Sequence, residues 1–402
     1  MYDAIIIGAR CAGAPTAMLL ARKGYRVLLV DKATFPSDTL STHILWPHGA
    51  EVMDRWGLLA KLAATGCPPI AKNLLFDVGP FALSGGVTDT NGGRGGFCPR
   101  RTVLDKLLVD AAVGAGVVLR EGFSVETLRW DGDRVVGIRG HGRTGSSIDE
   151  RAKVVIGADG VHSLVAKEVR AREYDVKPPI TTNYYTYYSG FEATDLEQYL
   201  REYQAVGCFP THDGLTLIAV LWPSHRFHEV RADVEGQVQK VLGSTPSVRD
   251  RLRRANREEK WVGTGGVPNY FRQPFGPGWA LVGDAAYNKD PITAQGISDA
   301  FIDAEGLAAA LDAGFSGRRP LEEALAEHQV RRDQRVKPMY DFTCQMATLE
   351  PPPPHMQQLF LALRFNQEAT NQFYSAITGS RPVSEFMNPE NLDRIVASAA
   401  RG

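Results

Sequence analysis

The chain has 402 residues, a formal net charge of −1 and 44% hydrophobic residues. That length suffices for two or three domains, and the near-neutral charge removes an electrostatic case for nucleic acid or an anionic membrane. Five cysteines, an odd number without Cys-x-x-Cys spacing, argue against a disulfide framework and a zinc site. No apolar run approaches the length needed to span a bilayer, and Met1-Tyr2-Asp3 leads into the first strand with no basic stretch before it, so a cytoplasmic protein is expected.

Taken in order, the first thirty residues read as strand, glycine turn, helix and strand. Ile5 to Ile7 is a buried apolar run, Ala17, Met18, Leu20 and Ala21 give a helix its apolar face, and RVLLV (26–30) is a second strand ending in Asp31. A turn Gly8-Ala9-Arg10-Cys11-Ala12-Gly13 with an acid about 20 residues further on matches the dinucleotide-binding βαβ unit. Its backbone N–H groups and helix N-terminus meet a pyrophosphate, and the acid accepts from a ribose hydroxyl. Arg10 stands where that pattern has its second glycine. Either the phosphates sit further out, or the Arg10 guanidinium turns onto them and compensates with charge.

Thr39-Leu40-Ser41-Thr42-His43 follows the second strand. His43 can exchange a proton beside a bound ring, or it can be a packed histidine bonded to backbone. The Gly-rich segment 79–96 predicts a loop or a β excursion on the substrate side. Arg100-Arg101 opens the amphipathic helix TVLDKLLVDAA, where an arginine can reach phosphate oxygens or simply be solvated. Residues 117–157 predict a strand, a hairpin around Asp131-Gly132-Asp133 and a return strand. That strand ends in Ala158-Asp159-Gly160, with Ser163 placed to cap the next helix.

Residues 178–276 are rich in aromatic and β-branched residues and predict antiparallel strands. In TTNYYTYYSGFEA, Tyr185 and Tyr187 share one face and Tyr184, Thr186 and Tyr188 the other, with nothing to say which face meets a ligand. Phe209, Trp222 and Met346 are further candidates for a substrate wall. The run RLRRANR (251–257) reads as a solvated helix face. His225 and His228 have metal-like spacing but no third ligand, so no metal is expected, and no Gly-x-Ser-x-Gly elbow supports a hydrolase. Residues 279–297, WALVGDAAYNKDPITAQGI, predict a strand running into Gly283-Asp284, then Pro291, then a helix starting at Gly296. Asp284 can accept from sugar-like hydroxyls, and free N–H groups near Gly296 can meet partial negative charge. From about residue 341 a helical tail follows, broken by Pro351 to Pro354.

The glycine turn, Arg-x-x-Leu-Asp (Arg101 to Asp105), Ala-Asp-Gly, and Gly-Asp with a later Pro and Gly stand in an order that resembles the para-hydroxybenzoate-hydroxylase-like FAD superfamily. That superfamily holds single-component flavin monooxygenases, flavin-dependent halogenases and geranylgeranyl reductases. The resemblance implies an α/β fold: a Rossmann-type FAD-binding domain (1–75, 97–177 and 277–340), an inserted, mainly antiparallel β-sheet substrate domain (76–96 and 178–276), and a helical C-terminal tail (341–402). Carried over by position, it implies that Gly8, Arg10, Cys11, Ala12 and Gly13 cradle the cofactor and that Asp31, beside Lys32, binds the adenosine ribose. Backbone near Val125 would hold adenine, while Arg101, Asp159, Gly283 and Asp284 would line the pyrophosphate and ribityl chain. Thr42 and Pro291 would sit by the flavin ring, with the Gly296 and Ile297 amides facing its pyrimidine oxygen. Tyr185, Tyr187, Phe209 and Trp222 are the expected substrate contacts, and His43 is the sole catalytic candidate. Departures include Ala166 where the superfamily usually has arginine, and Ser298 where asparagine is frequent.

The activity so implied is an NAD(P)H-dependent monooxygenase that hydroxylates a small aromatic or polyketide-like molecule with molecular oxygen, through a flavin C4a-hydroperoxide. The alternatives are a reductase of isoprenoid double bonds and an FAD-holding protein without turnover. A halogenase is disfavoured because Trp-x-Trp-x-Ile-Pro is absent. Nothing in the sequence fixes an oligomeric state.

Overall fold

A computed structural model describes residues 1–87, 95–143 and 145–399. Its first sheet is built on five parallel strands in the order Trp279–Leu281, Ser147–Gly157, Tyr2–Ile7, Val27–Asp31 and Val118–Glu121. The strand Val27–Asp31 is buried along its whole length, as befits a parallel strand covered on both faces. Side-chain alternation divides the cover. Ala4, Ile6, Val27 and Leu29 face a layer with the helices Gly13–Ala21, Arg101–Gly114 and Gly296–Phe315. Ile5, Ile7, Leu28 and Val30 face Phe123, Leu128 and Ile138 of the antiparallel hairpin Ser124–Asp131 and Arg134–His141, which turns at Gly132 as expected.

The second sheet is mainly antiparallel. Thr181–Ser189 pairs with Thr216–Pro223, then come Gln204–Pro210, Glu197–Arg201, Leu74–Asp77 and Ala82–Gly85. The Gly-rich segment thus includes a sheet strand at Ala82–Gly85, while its residues 88–94 lie outside the described residues.

Two expectations are corrected. The helix Pro246–Leu252 ends inside the RLRRANR run, where Arg253, Arg254, Asn256 and Arg257 are exposed as expected but Arg251 is half-buried. Its guanidinium forks onto Glu197 at 2.9 and 2.5 Å and lies 4.3 Å from the Phe191 ring centroid. The tail boundary at 341 falls inside one helix, Leu321–Met346, which continues through Pro338. Beyond the proline connector, helices Pro354–Leu363, Gln367–Ile377, Val383–Phe386 and Pro389–Ala399 bury Phe360, Phe373, Tyr374 and Phe386 against Phe76 and Leu83 of the second sheet. Among the described residues no helix is long and apolar enough to cross a membrane.

Candidate cofactor and substrate site

A trench of about 870 Å³ runs from the C-terminal ends of the parallel strands to the second sheet. Its floor is the glycine turn. Gly8 has φ +102°, and a Cβ there would lie 2.3 Å from the Ala158 carbonyl oxygen. A Cβ on Gly13 would lie 1.7 Å from the Gly8 carbonyl oxygen, so the turn can close only without side chains. The helix that follows has no side-chain cap at Ala12, but Ala14 N–H already donates to the Arg10 carbonyl (3.0 Å), Thr16 N–H donates to the Ala12 carbonyl (3.2 Å), and Pro15 carries no N–H. Asp31 Oδ2 accepts from Ala9 N–H (2.7 Å) and Oδ1 from Ala33 N–H (2.8 Å), which fixes the carboxylate at the trench wall. Cys11, Ala12, Lys32, Thr42 and Val125 line the same trench.

Arg10 lines the trench with its guanidinium held on protein groups. Its Nη1 is bound to Asp105 Oδ2 at 2.5 Å, its Nη2 to Ser37 Oγ at 3.0 Å, and the guanidinium lies over Phe35. Asp105 is fully buried and receives a second arginine: Arg101 donates from Nε (3.1 Å) and Nη2 (2.9 and 3.0 Å). The Cys11 thiol also donates to Asp105, and burial pushes that thiol's pKa well up, so it is no thiolate nucleophile. One carboxylate thereby holds two guanidinium groups. Among the described residues Arg101 Nη1 has no protein acceptor, and Arg101 lines the trench.

Asp159 accepts from Ser163 Oγ (2.5 Å) and Leu164 N–H (2.7 Å), while Ser163 Oγ accepts from Ala166 N–H. The pair caps the next helix, as the sequence suggested for Ser163, and holds Asp159 at the trench wall. Opposite, Gly283 N–H is anchored on Asp303 (2.9 Å), and the Tyr270 hydroxyl donates to the Asp284 carbonyl (2.6 Å). The Asp284 side chain opens into the trench and makes no hydrogen bond among the described residues. Protein surrounds the trench at that depth, and this desolvation pushes the carboxyl up to about 6 against the pull of Lys289 and Arg101. Helix Gly296–Phe315 starts after Ala294 in the left-handed region (φ 52°), has no side-chain cap, and points its N-terminus into the trench.

Beyond Pro291 the trench meets a chamber of about 80 Å³, the two sharing Ser41, Thr42, Asn183, Pro291 and Ala294. Trp46, Phe76, Tyr185, Phe209, Met346 and Tyr374 line the chamber. Strand parity, undecided by the sequence, is now fixed. Asn183 and Tyr185 face the cofactor side, whereas Tyr184 lies in the opposite core with Val220 and Val230. Trp222 pairs with Thr182 and therefore shares that opposite face, fully buried, so it is placed away from the chamber. Tyr187 points toward the cofactor side but does not line the chamber: its hydroxyl donates to His43 Nε2 (2.8 Å) and its ring lies under Arg100.

His43 takes the packed alternative. It is fully buried with φ +64°, its Nδ1 donates to the Ser41 carbonyl (2.7 Å), and it lines neither cavity. Burial, with help from Arg101 and Arg100, drives its pKa down to about 4. The imidazole is thus neutral throughout the physiological range. The pH profile of turnover between pH 5 and 8 is expected to carry no His43 limb, and to keep its shape in His43→Gln.

Sequence reasoning missed Asp105 as a binder of both arginines, and Asn183, Gln198 and Trp46 as chamber residues. Asp105 stood inside the Arg-x-x-Leu-Asp motif, which was a usable signal. Asn183 shares the odd register of Tyr185, but its exposure to the chamber needed the sheet's orientation.

A glycine turn closed to side chains, an acid at the second strand's end, a free carboxylate on the far wall and a bare helix N-terminus define a dinucleotide-flavin site. The residues present fit FAD. The chain matches the FAD binding domain family over residues 1–343 and belongs to it; it is an FAD-dependent oxidoreductase. It is similar to digeranylgeranylglycerophospholipid reductase of Methanothrix thermoacetophila, 28% identical over 332 residues, 78% of this chain and 80% of that protein. It is 25% identical to tryptophan 2-halogenase of Chondromyces crocatus over 339 residues, 80% or so of this chain (81%) but only 64% of that protein. In fold it resembles PqsL of P. aeruginosa, solved in complex with 2-aminobenzoylacetate, with a TM-score of 0.69 at 22% identity, covering 94% of this chain and 99% of that one.

Proposed function

We propose that this protein is an FAD-dependent monooxygenase that uses NAD(P)H and molecular oxygen to hydroxylate a small aromatic molecule. The observation that carries the reading is the aromatic-lined chamber at the end of the cofactor trench, abutting it at Pro291 and Asn183. Bound FAD would supply the redox chemistry, accepting hydride and activating oxygen. Gly8 to Gly13, Asp31, Arg101 and Asp284 would hold it. The Gly296 helix N-terminus would offer partial positive charge to negative charge gathering on a bound flavin. The chamber's apolar wall excludes water from the reacting ring. Tyr185 stays a neutral phenol, its pKa pushed up to about 12 by burial. No side chain is required to attack the substrate.

Oxygen uptake tests this. NAD(P)H oxidation is expected to be stimulated by a small aromatic, with one atom of labelled oxygen recovered in the product. Reduction of a lipid alkene without oxygen uptake would instead establish the isoprenoid-reductase reading, which the similarity to the Methanothrix enzyme favours. The chamber's role is checked separately at Gly207, where a Cβ would meet the Phe209 ring at 2.3 Å. Gly207→Ala pushes that ring into the chamber at a cost of about 1–3 kcal/mol. The expected result is a raised KM with unchanged FAD content.

A further inference from the structure

Among the described residues no Asp, Glu, Lys, Arg or His lines the chamber. Its polar groups are hydroxyls and two side-chain amides, Asn183 and Gln198. Asn183 Nδ2 is buried without any hydrogen-bond partner and borders both trench and chamber. Gln198 sits on Glu197–Arg201, three strands across the sheet from Asn183, roughly 14 Å by interstrand spacing. Its amide has no hydrogen-bond partner among the described residues. A buried amide without a partner is costly, so Asn183 marks a place where a ligand's polar atom completes the structure, while Gln198 offers a second amide on the same lining.

We infer that the substrate's ring enters the chamber uncharged and is oriented by neutral oxygen or nitrogen substituents, one accepting from Asn183 beside the cofactor and one meeting Gln198 across the sheet. This rests on the monooxygenase reading for its chemistry, but not for its binding. A carboxylate carried into the chamber would lose its hydration and find no cation among the described lining residues. Size limits what enters. The chamber's 80 Å³ is about half the ~150 Å³ of an apolar cavity that admits benzene, so one ring enters with displacement of flexible Met346 or Phe209.

The test is a titration of the oxidised, FAD-loaded protein, reading the change in flavin absorbance, with neither NAD(P)H nor turnover needed. The probes are phenol, p-cresol, indole and 1-naphthol against 4-hydroxybenzoate, indole-3-carboxylate and 1-hydroxy-2-naphthoate. Neutral members are expected to bind about 100-fold more tightly than their carboxylated partners. Asn183→Leu should weaken the phenols about tenfold at equal flavin content, and Gln198→Lys should narrow the neutral-to-carboxylate ratio by about tenfold. Equal or tighter binding of the carboxylates by the unmodified protein overturns the proposal, as does a spectrum unmoved by every neutral probe. Neither result bears on whether oxygen is transferred, and absence of oxygen transfer leaves the preference for neutral ligands standing.

Discussion

Asp105→Ala is expected to lower the unfolding free energy of the apoprotein by about 3–5 kcal/mol, the usual cost of removing one member of a buried ion pair. The carboxylate is fully buried and holds Arg10 and Arg101 together. Arg10 is about a quarter exposed at its side chain (24%) and recovers part of its solvation, whereas Arg101 (9%) does not. The loss therefore falls mainly on Arg101, left charged and unpaired in the trench wall. Urea denaturation reads the stability. A loss below about 1 kcal/mol would mean that both guanidinium groups find water, and that the triad does not organise the site.

FAD retention is expected to weaken roughly 10- to 150-fold in Asp284→Ala, because a hydrogen bond to a charged group is worth about 1.5–3 kcal/mol. The carboxylate faces the trench without a protein partner, so a ribityl or pyrophosphate-side hydroxyl is its natural donor. Acidity gives a second readout. The unliganded carboxyl titrates at about 6, raised by burial, and a hydroxyl donor favours its ionised form. Binding of FAD then releases a proton, so affinity should fall as pH drops through 6. In Asp284→Ala that slope should vanish. A variant that purifies with full flavin and keeps the slope would show that another group carries this contact.

Much of the cofactor site was legible because its chemistry is local. Gly8 to Gly13, Asp31, Asp159 and Gly283-Asp284 sit at strand ends, where a few consecutive residues fix both backbone shape and exposure. What was not legible depended on side-chain direction or on distant pairing. Arg10 was readable as a charge near the phosphates, but its partner Asp105 is 95 residues away. Trp222 remained a further candidate beside Tyr185 until the register of Thr182 with Trp222 put the two on opposite faces. His43 was undecided because two bonds, to Ser41 and Tyr187, settle its role, and the second comes from another sheet. The tail was legible as helices, but not as a wall: Tyr374 and Ile377 join Ile44 and Trp46 around one chamber.

That wall has a consequence for how the protein comes into being. The trench uses residues only as far as Arg335, whereas the chamber also needs Met346, Tyr374, Ile377 and Thr378. During synthesis the cofactor-binding part is complete while the last sixty or so residues are still to be made. The family match, over residues 1–343, stops before the first of these chamber residues.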